Sequence, residues 1–227
     1  MAIVLVLSFT SKAQDKENLK PDYTAIEKTI ADPNSIFYYP PLFLRYKNND
    51  TTLTRREYRY LYYGYFFNKA YRFSQNHPAE DSLDLILKKN ILSVKDWRLV
   101  IRLLNKCLER NPFELKKLNL MYFAYKNLGD DLHQHIYKDK IQKIAYTILS
   151  SGDGESEETA LHVLQVSDEY SLINMLGYKF NGKREMRGDR CDYLTLEAND
   201  DDIQGLYFDL KQVFAEYEGE LGYKKPK

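Results

Sequence analysis

Apolar side chains recur one helical turn apart through most of the first 150 residues. Ile26 and Ile30 predict a short helix over 22–31, which Pro33 stops because the residue before a proline avoids the helical region. Phe37-Tyr38-Tyr39-Pro40-Pro41-Leu42 reads instead as an extended aromatic connector, since two prolines argue against a regular helix there. Thr54-Arg55-Arg56-Glu57 is a capping box, so a helix is expected to begin at Arg55 and run through Tyr58, Tyr60, Tyr62, Tyr63, Tyr65, Phe66 and Phe67. Pro78, with Glu80 and Asp81 behind it, opens a helix whose stripe is Leu83, Ile86 and Leu87. Ser93 and Asp96 cap the next. It places Trp97, Val100, Ile101, Leu104 and Leu108 on one face and Arg98, Arg102, Asn105 and Glu109 on the other. After the Asn111-Pro112 break, Leu118, Met121, Tyr122 and Tyr125 form a stripe closed by Gly129, a residue suited to a left-handed helix cap. Tyr137, Ile141, Ile144, Ala145 and Ile148 form the last long stripe.

Beyond Ser150-Ser151-Gly152-Asp153-Gly154 the period shifts toward two. Residues 161–166 and 191–198 read as strands, and Leu206, Phe208 and Leu210 make one more alternating run. Asn181-Gly182 is the pair expected in a tight hairpin turn. A block of helices followed by strands implies an α+β fold: a six- or seven-helix N-terminal bundle and a small antiparallel β module. The expected boundaries are a helical domain over 14–150, a β module over 151–217 packed on the helices, and a tail over 218–227.

The start of the chain changes the picture of location. Ile3 to Phe9 is a short apolar run, followed by Ser11 and Ala13 at the −3 and −1 positions of a signal-peptidase site. Residues 1–13 are therefore expected to be a truncated signal peptide cleaved after Ala13, which makes the mature protein periplasmic or secreted. No stretch reaches the ~20 apolar residues of a membrane-spanning helix. In an oxidising compartment a Cys107–Cys191 disulfide is open, and so is the alternative of two buried free thiols.

Composition narrows function mainly by exclusion. The 227 residues hold 33 basic and 33 acidic side chains, and that balance argues against a generic nucleic-acid binder. The charge is segregated, however. Residues 1–150 carry 24 basic against 16 acidic side chains, a net of +8, and the remainder carries −8. Twenty tyrosines and eleven phenylalanines stand out. The aromatics at 58–67 fall on every side of their helix, as in a buried element, with Gly64 allowing a neighbour to approach closely. A ligand-binding reading of the same segment would use Tyr58, Tyr62, Tyr65 and Tyr39 as stacking faces, with Arg55 and Arg59 beside them.

Catalytic and metal signals are weak. His133 and His135 are two apart, whereas ligand pairs on a helix stand four apart, and His77 and His162 are isolated. Asp153-Gly154-Glu155 and Asn199 to Asp202 lack the spacing of a calcium loop. Asp168-Glu169 is an adjacent carboxylate pair, expected at the end of a strand, and would be the acids of a hydrolase. There is no Gly-x-Ser-x-Gly elbow and no phosphate-cradling glycine loop, and no cofactor is implied.

Two resemblances add to this reading. Asn111-Pro112 through Leu128-Gly129-Asp130 resembles one tetratricopeptide unit, with the small Ala124 where a paired helix must approach. Leu132 and Ile136 depart from that pattern, and no second copy is evident. More broadly, Phe37 to Leu42, Asp50 to Thr54, Tyr58 to Tyr65, Ser150 to Gly154, Asp168 to Tyr170, Leu176 to Tyr178, Cys191-Asp192 and Leu206 to Phe208 resemble an exported family of Bacteroidota, DUF4919. That resemblance covers nearly all of residues 20–215 and implies export and a shared fold, without a chemistry. The expected role is a non-catalytic interaction or scaffold protein of the cell envelope engaging a protein or peptide. The alternatives are glycan or cell-wall binding through the tyrosines, and hydrolysis by Asp168 and Glu169.

Overall fold

A computed structural model describes residues 20–68, 78–188 and 191–214. The proposed signal peptide (1–13), His77 and the tail (218–227) lie outside the described residues. Seven helices precede the sheet among the described residues: α1 (Tyr23–Ala31), α2 (Tyr39–Lys47), α3 (Arg55–Tyr65), α4 (Ala79–Leu87), α5 (Val94–Arg110), α6 (Leu115–Leu128) and α7 (Asp131–Leu149). The sequence-level caps form as expected. Thr54 with Glu57 and Ser93 with Asp96 close reciprocal boxes, and Gly129 ends α6 at φ 69°. Helices α4 to α7 pack each on the next, and α7 also packs on α3.

The C-terminal part holds β1 (Leu161–His162), α8 (Val166–Met175), β2 (Phe180–Arg187), β3 (Cys191–Leu196) and β4 (Gly205–Asp209). The strand order is β1-β4-β3-β2. Pairs β2–β3 and β3–β4 are antiparallel, whereas β1 runs parallel to β4 through Leu161↔Phe208 and His162↔Asp209. One continuous core extends from Ile26 and Ile30 through the aromatic helix to Leu194, Phe208 and Val213.

The α+β class holds, with helices first and strands after, but four expectations need correction. The Tyr39-Pro40-Pro41 segment is the first turn of α2, not an extended connector. First-turn amides have no partner within the helix, so proline loses nothing there. The module is mixed, not purely antiparallel: the strand expected over 161–166 stops after two residues and the chain enters α8 at Val166. Asp168 and Glu169 therefore sit in a helical first turn, where acids favour the helix dipole. Finally, Asn181-Gly182 does not turn the chain. It lies inside β2 as an irregularity between Phe180 and Arg184, with Gly182 at φ 94°.

Cys107 on α5 and Cys191 on β3 are buried free thiols, so the disulfide left open by the sequence is not formed. The two elements have different neighbours: α5 packs chiefly on α4 and α6, and β3 lies between β4 and β2. Burial raises both thiol pKa values, that of Cys191 to about 12, which suits inert core residues.

Candidate functional site

The tyrosine helix is interior. Tyr58, Tyr62 and Tyr65 are buried, as is Tyr39 beside them. Each hydroxyl that reaches inward finds a fixed partner. Tyr39 donates to the Leu61 carbonyl at 3.0 Å, Tyr46 to the Pro112 carbonyl at 2.6 Å, and Tyr65 to the Arg110 carbonyl. Tyr63 lies within reach of the Thr147 and His162 carbonyls at 3.2 and 3.4 Å. The rings of Tyr46, Tyr62 and Tyr65 surround Phe113 at centroid distances of 4.7, 6.0 and 5.3 Å. Gly64 lets Tyr39 and Ile30 close on α3: an added Cβ would meet their side chains at 3.0 and 3.1 Å.

The arginines expected to flank a ligand are also committed. The Arg55 guanidinium lies 4.0 Å from the Tyr146 ring centroid, and that of Arg59 lies 5.4 Å from the Tyr63 ring. Arg59 also donates to the Lys20 carbonyl at 3.1 Å. The stacking site composed of Tyr39, Tyr58, Tyr62, Tyr65, Arg55 and Arg59 is thus not brought together as an open face. Burying the rings excludes the sugar planes that would have stacked on them.

The most informative cluster joins the two parts of the chain. Asp168 is fully buried and accepts from the Leu115 amide at 3.0 Å, the Tyr62 hydroxyl at 3.0 Å and Gln165 Nε2 at 3.1 Å. Tyr62 in turn accepts from the Leu164 amide at 3.1 Å. Glu114, which precedes α6, makes no side-chain cap, so the carboxyl of Asp168 serves the first amide of α6 from 53 residues away. Burial pushes the Asp168 pKa up to about 7, against the pull of its three donors.

Glu169 has a different environment. Both of its oxygens lack a donor among the described residues, and the carboxyl group faces Asp192 on β3. Asp192 is held by Arg184, whose Nε donates at 2.7 Å. Burial, and then the charge of Asp192, raise the Glu169 pKa to about 9. Two ionised carboxylates cannot bond one another, so the pair needs a proton on Glu169. The pair lies where α8 meets the sheet, with Tyr170 packed edge-on against Phe180 at 5.2 Å. Neither acid has the solvent access that the hydrolase expectation needs.

The raised pKa has a testable sign. The folded state holds the Glu169 proton more tightly than the unfolded chain, so this group's stabilisation is complete below the ordinary glutamate pKa and is lost as pH rises to about 9. Glu169→Gln keeps a permanent donor toward Asp192. Its thermal midpoint relative to wild type is expected to improve progressively from mildly acidic pH to about pH 9. A constant difference between the two melting curves across that range would contradict this account of the pair.

Other polar groups also have structural partners. Burial lowers the His162 pKa to about 4, and its Nε2 stands 3.8 Å from Asp209 Oδ2. His133 bonds Asp130 at 2.8 Å, and among the described residues no three His, Cys, Asp or Glu side chains converge as a metal site. Asp153 accepts from the Glu155 amide at 2.9 Å, and Asn199 Oδ1 accepts from the amides of Asp201 and Ile203 at 3.2 Å, so these acidic loops fasten turns. Lys140 gives no functional signal in the sequence. It is buried with its ammonium 4.2 Å from the Tyr46 ring centroid, bonds Asn49 at 2.6 Å, and is lowered by burial to about 8. Phe113 lies before α6, outside its stripe, and a backbone amide such as that of Leu115 leaves no mark in the sequence pattern.

These features define a class: an α+β protein in which a helical bundle is stitched to a small mixed sheet by buried phenol and carboxyl groups. Residues 24–219 match the domain of unknown function DUF4919, and the chain belongs to that family. Neither the curated proteins nor the solved structures yield a match to it.

Proposed function

We propose that the protein is an exported, non-catalytic interaction module of the cell envelope that engages a protein or peptide. The observation supporting this reading is where the chain's reactive groups are placed. Tyr62, Tyr63 and Tyr65 of α3 are buried with their hydroxyls bonded inside the protein, and Asp168 and Glu169 are buried beside them. The serial packing of α4 to α7 adds support, because an array of helical hairpins leaves an outer face on each helix for a partner. The α6–α7 hairpin is the part with tetratricopeptide character. Exposed apolar side chains at Ile36, Leu44 and Leu132 are candidate contact points.

The test is site-specific photo-cross-linking in intact cells from positions 36, 44 and 132, with exposed Glu197 on the sheet side as the reference position. The reading expects one reproducible protein adduct from at least one of the apolar positions, lost when a neighbouring exposed residue is made acidic. Adducts equal in kind and yield at all four positions would overturn it, as would none.

A further inference from the structure

The outward face of α5 and the turn before it carry side chains that the fold does not use. Val94, Lys95, Arg98, Leu99, Arg102 and Lys106 are exposed. Their spacing places them together on one side of the helix, opposite the buried Val100, Leu104 and Cys107. The four cations span about 16 Å at the helical rise of ~1.5 Å per residue. None of them makes an ion pair among the described residues, whereas the nearby Lys89 is paired with Asp96 at 2.7 Å. Glu109, at the C-terminal end of the row, is the acidic residue on that face. The N-terminal end of the row is apolar: Ile91 is 86% and Val94 54% exposed, just after the exposed Lys88 in sequence.

Shape and charge together select the occupant. The row is the convex outside of a helix, which suits a flat and continuously negative surface better than a single peptide. The apolar tip adjoining a basic collar has the composition of an interfacial membrane contact. The net +8 of residues 1–150 against −8 in the remainder gives the chain a charge asymmetry that would turn this end toward an anionic plane. Among the described residues no helix is long and apolar enough to cross a membrane, so the contact is with the surface.

We propose that the α4–α5 corner docks the protein on an anionic phospholipid surface. Ile91 and Val94 enter the boundary between headgroups and acyl chains, and Lys95, Arg98, Arg102 and Lys106 face the lipid phosphates. This docking is independent of the protein-partner reading above and stands or falls separately from it.

The test is co-sedimentation of the full chain with vesicles of phosphatidylglycerol and phosphatidylcholine in equal parts, against vesicles of phosphatidylcholine alone. The expected result is binding to the mixed vesicles at least about tenfold tighter than to the neutral ones, weakening as salt shortens the screening length. Arg98→Gln combined with Arg102→Gln is expected to weaken it about 30-fold, since each basic residue near such a surface contributes about 1 kcal/mol. Ile91→Ser is expected to weaken it about tenfold while leaving the salt dependence unchanged. All three positions are exposed, so thermal midpoints are expected to stay at the wild-type value. No vesicle binding, equal binding to both vesicle types, or an unchanged double variant would overturn the proposal. Preference for poly-glutamate over the mixed vesicles would overturn it too, by giving the face to an acidic protein.

Discussion

Asp168→Ala is expected to lower the stability of the protein by about 4 kcal/mol, a large effect for one substitution. The carboxyl is fully buried and accepts three bonds, two of which come from elements far away in the chain. Removing it leaves the Leu115 amide and the Tyr62 hydroxyl as donors with nowhere to go, and each unsatisfied buried group costs about 1–3 kcal/mol. For a chain of this length the thermal midpoint should fall by roughly 8–16 °C. Asp168→Asn is expected to cost about half as much, because one amide oxygen still accepts while the amide nitrogen opposes one of the donors. Combining Asp168→Ala with Tyr62→Phe should cost less than the sum of the two, by about 1–3 kcal/mol, since both break the same bond. Additive losses in denaturant melts would show that the phenol and the carboxyl do not act as a unit.

Gly152→Ala is expected to cost about 3 kcal/mol or more for a purely steric reason. A Cβ at this position would stand 2.0 Å from the Thr159 carbonyl oxygen and 2.8 Å from that of Ala160. Both are backbone atoms, so no side chain can swing away. The loop cannot open freely either, because Gly154 donates to Thr159 at 2.9 Å and accepts from Tyr207 of β4 at 2.9 Å. The measurement is again a melting midpoint, expected to drop by roughly 6–12 °C. Gly129→Ala is a useful comparison: nothing lies within 4 Å of its added Cβ, and only the positive φ is strained. If Gly152→Ala melts no lower than Gly129→Ala, the close backbone approach is not a constraint.

Local signals were legible where one short segment contains the whole cause. The Thr54 and Ser93 boxes, the Gly129 cap and the stripes of α5 and α7 were read correctly because each depends on residues within a few positions of one another. The interior placement of the α3 tyrosines was legible from aromatics on every side of one helix. Where the sequence reading went wrong, the cause was non-local. Asn181-Gly182 has the chemistry of a hairpin turn, but the pairing of β2 with β3 extends past it and absorbs it as a bulge. The run at 161–166 has strand periodicity, yet only two residues find a partner on β4. The carboxyl pair at 168–169 is expected from its neighbours at the end of a strand, as the acids of a hydrolase. Its role depends on Tyr62, Leu115, Arg184 and Asp192, whose distance in sequence hides the association. The α2 prolines misled for a simpler reason: the rule against helical proline does not extend to the first turn.

The long reach from Asp168 to the start of α6 also bears on how the protein is made. A ribosome that has delivered the first 150 residues has supplied every helix up to α7, but not the carboxyl that completes the opening turn of α6, nor the amide that satisfies the Tyr62 oxygen. The bundle is therefore assembled with its central phenol unanswered until the following segment emerges. Final consolidation waits on the last third of the polypeptide, and a chain cut short there retains its helical periodicities without the bonds that lock them together.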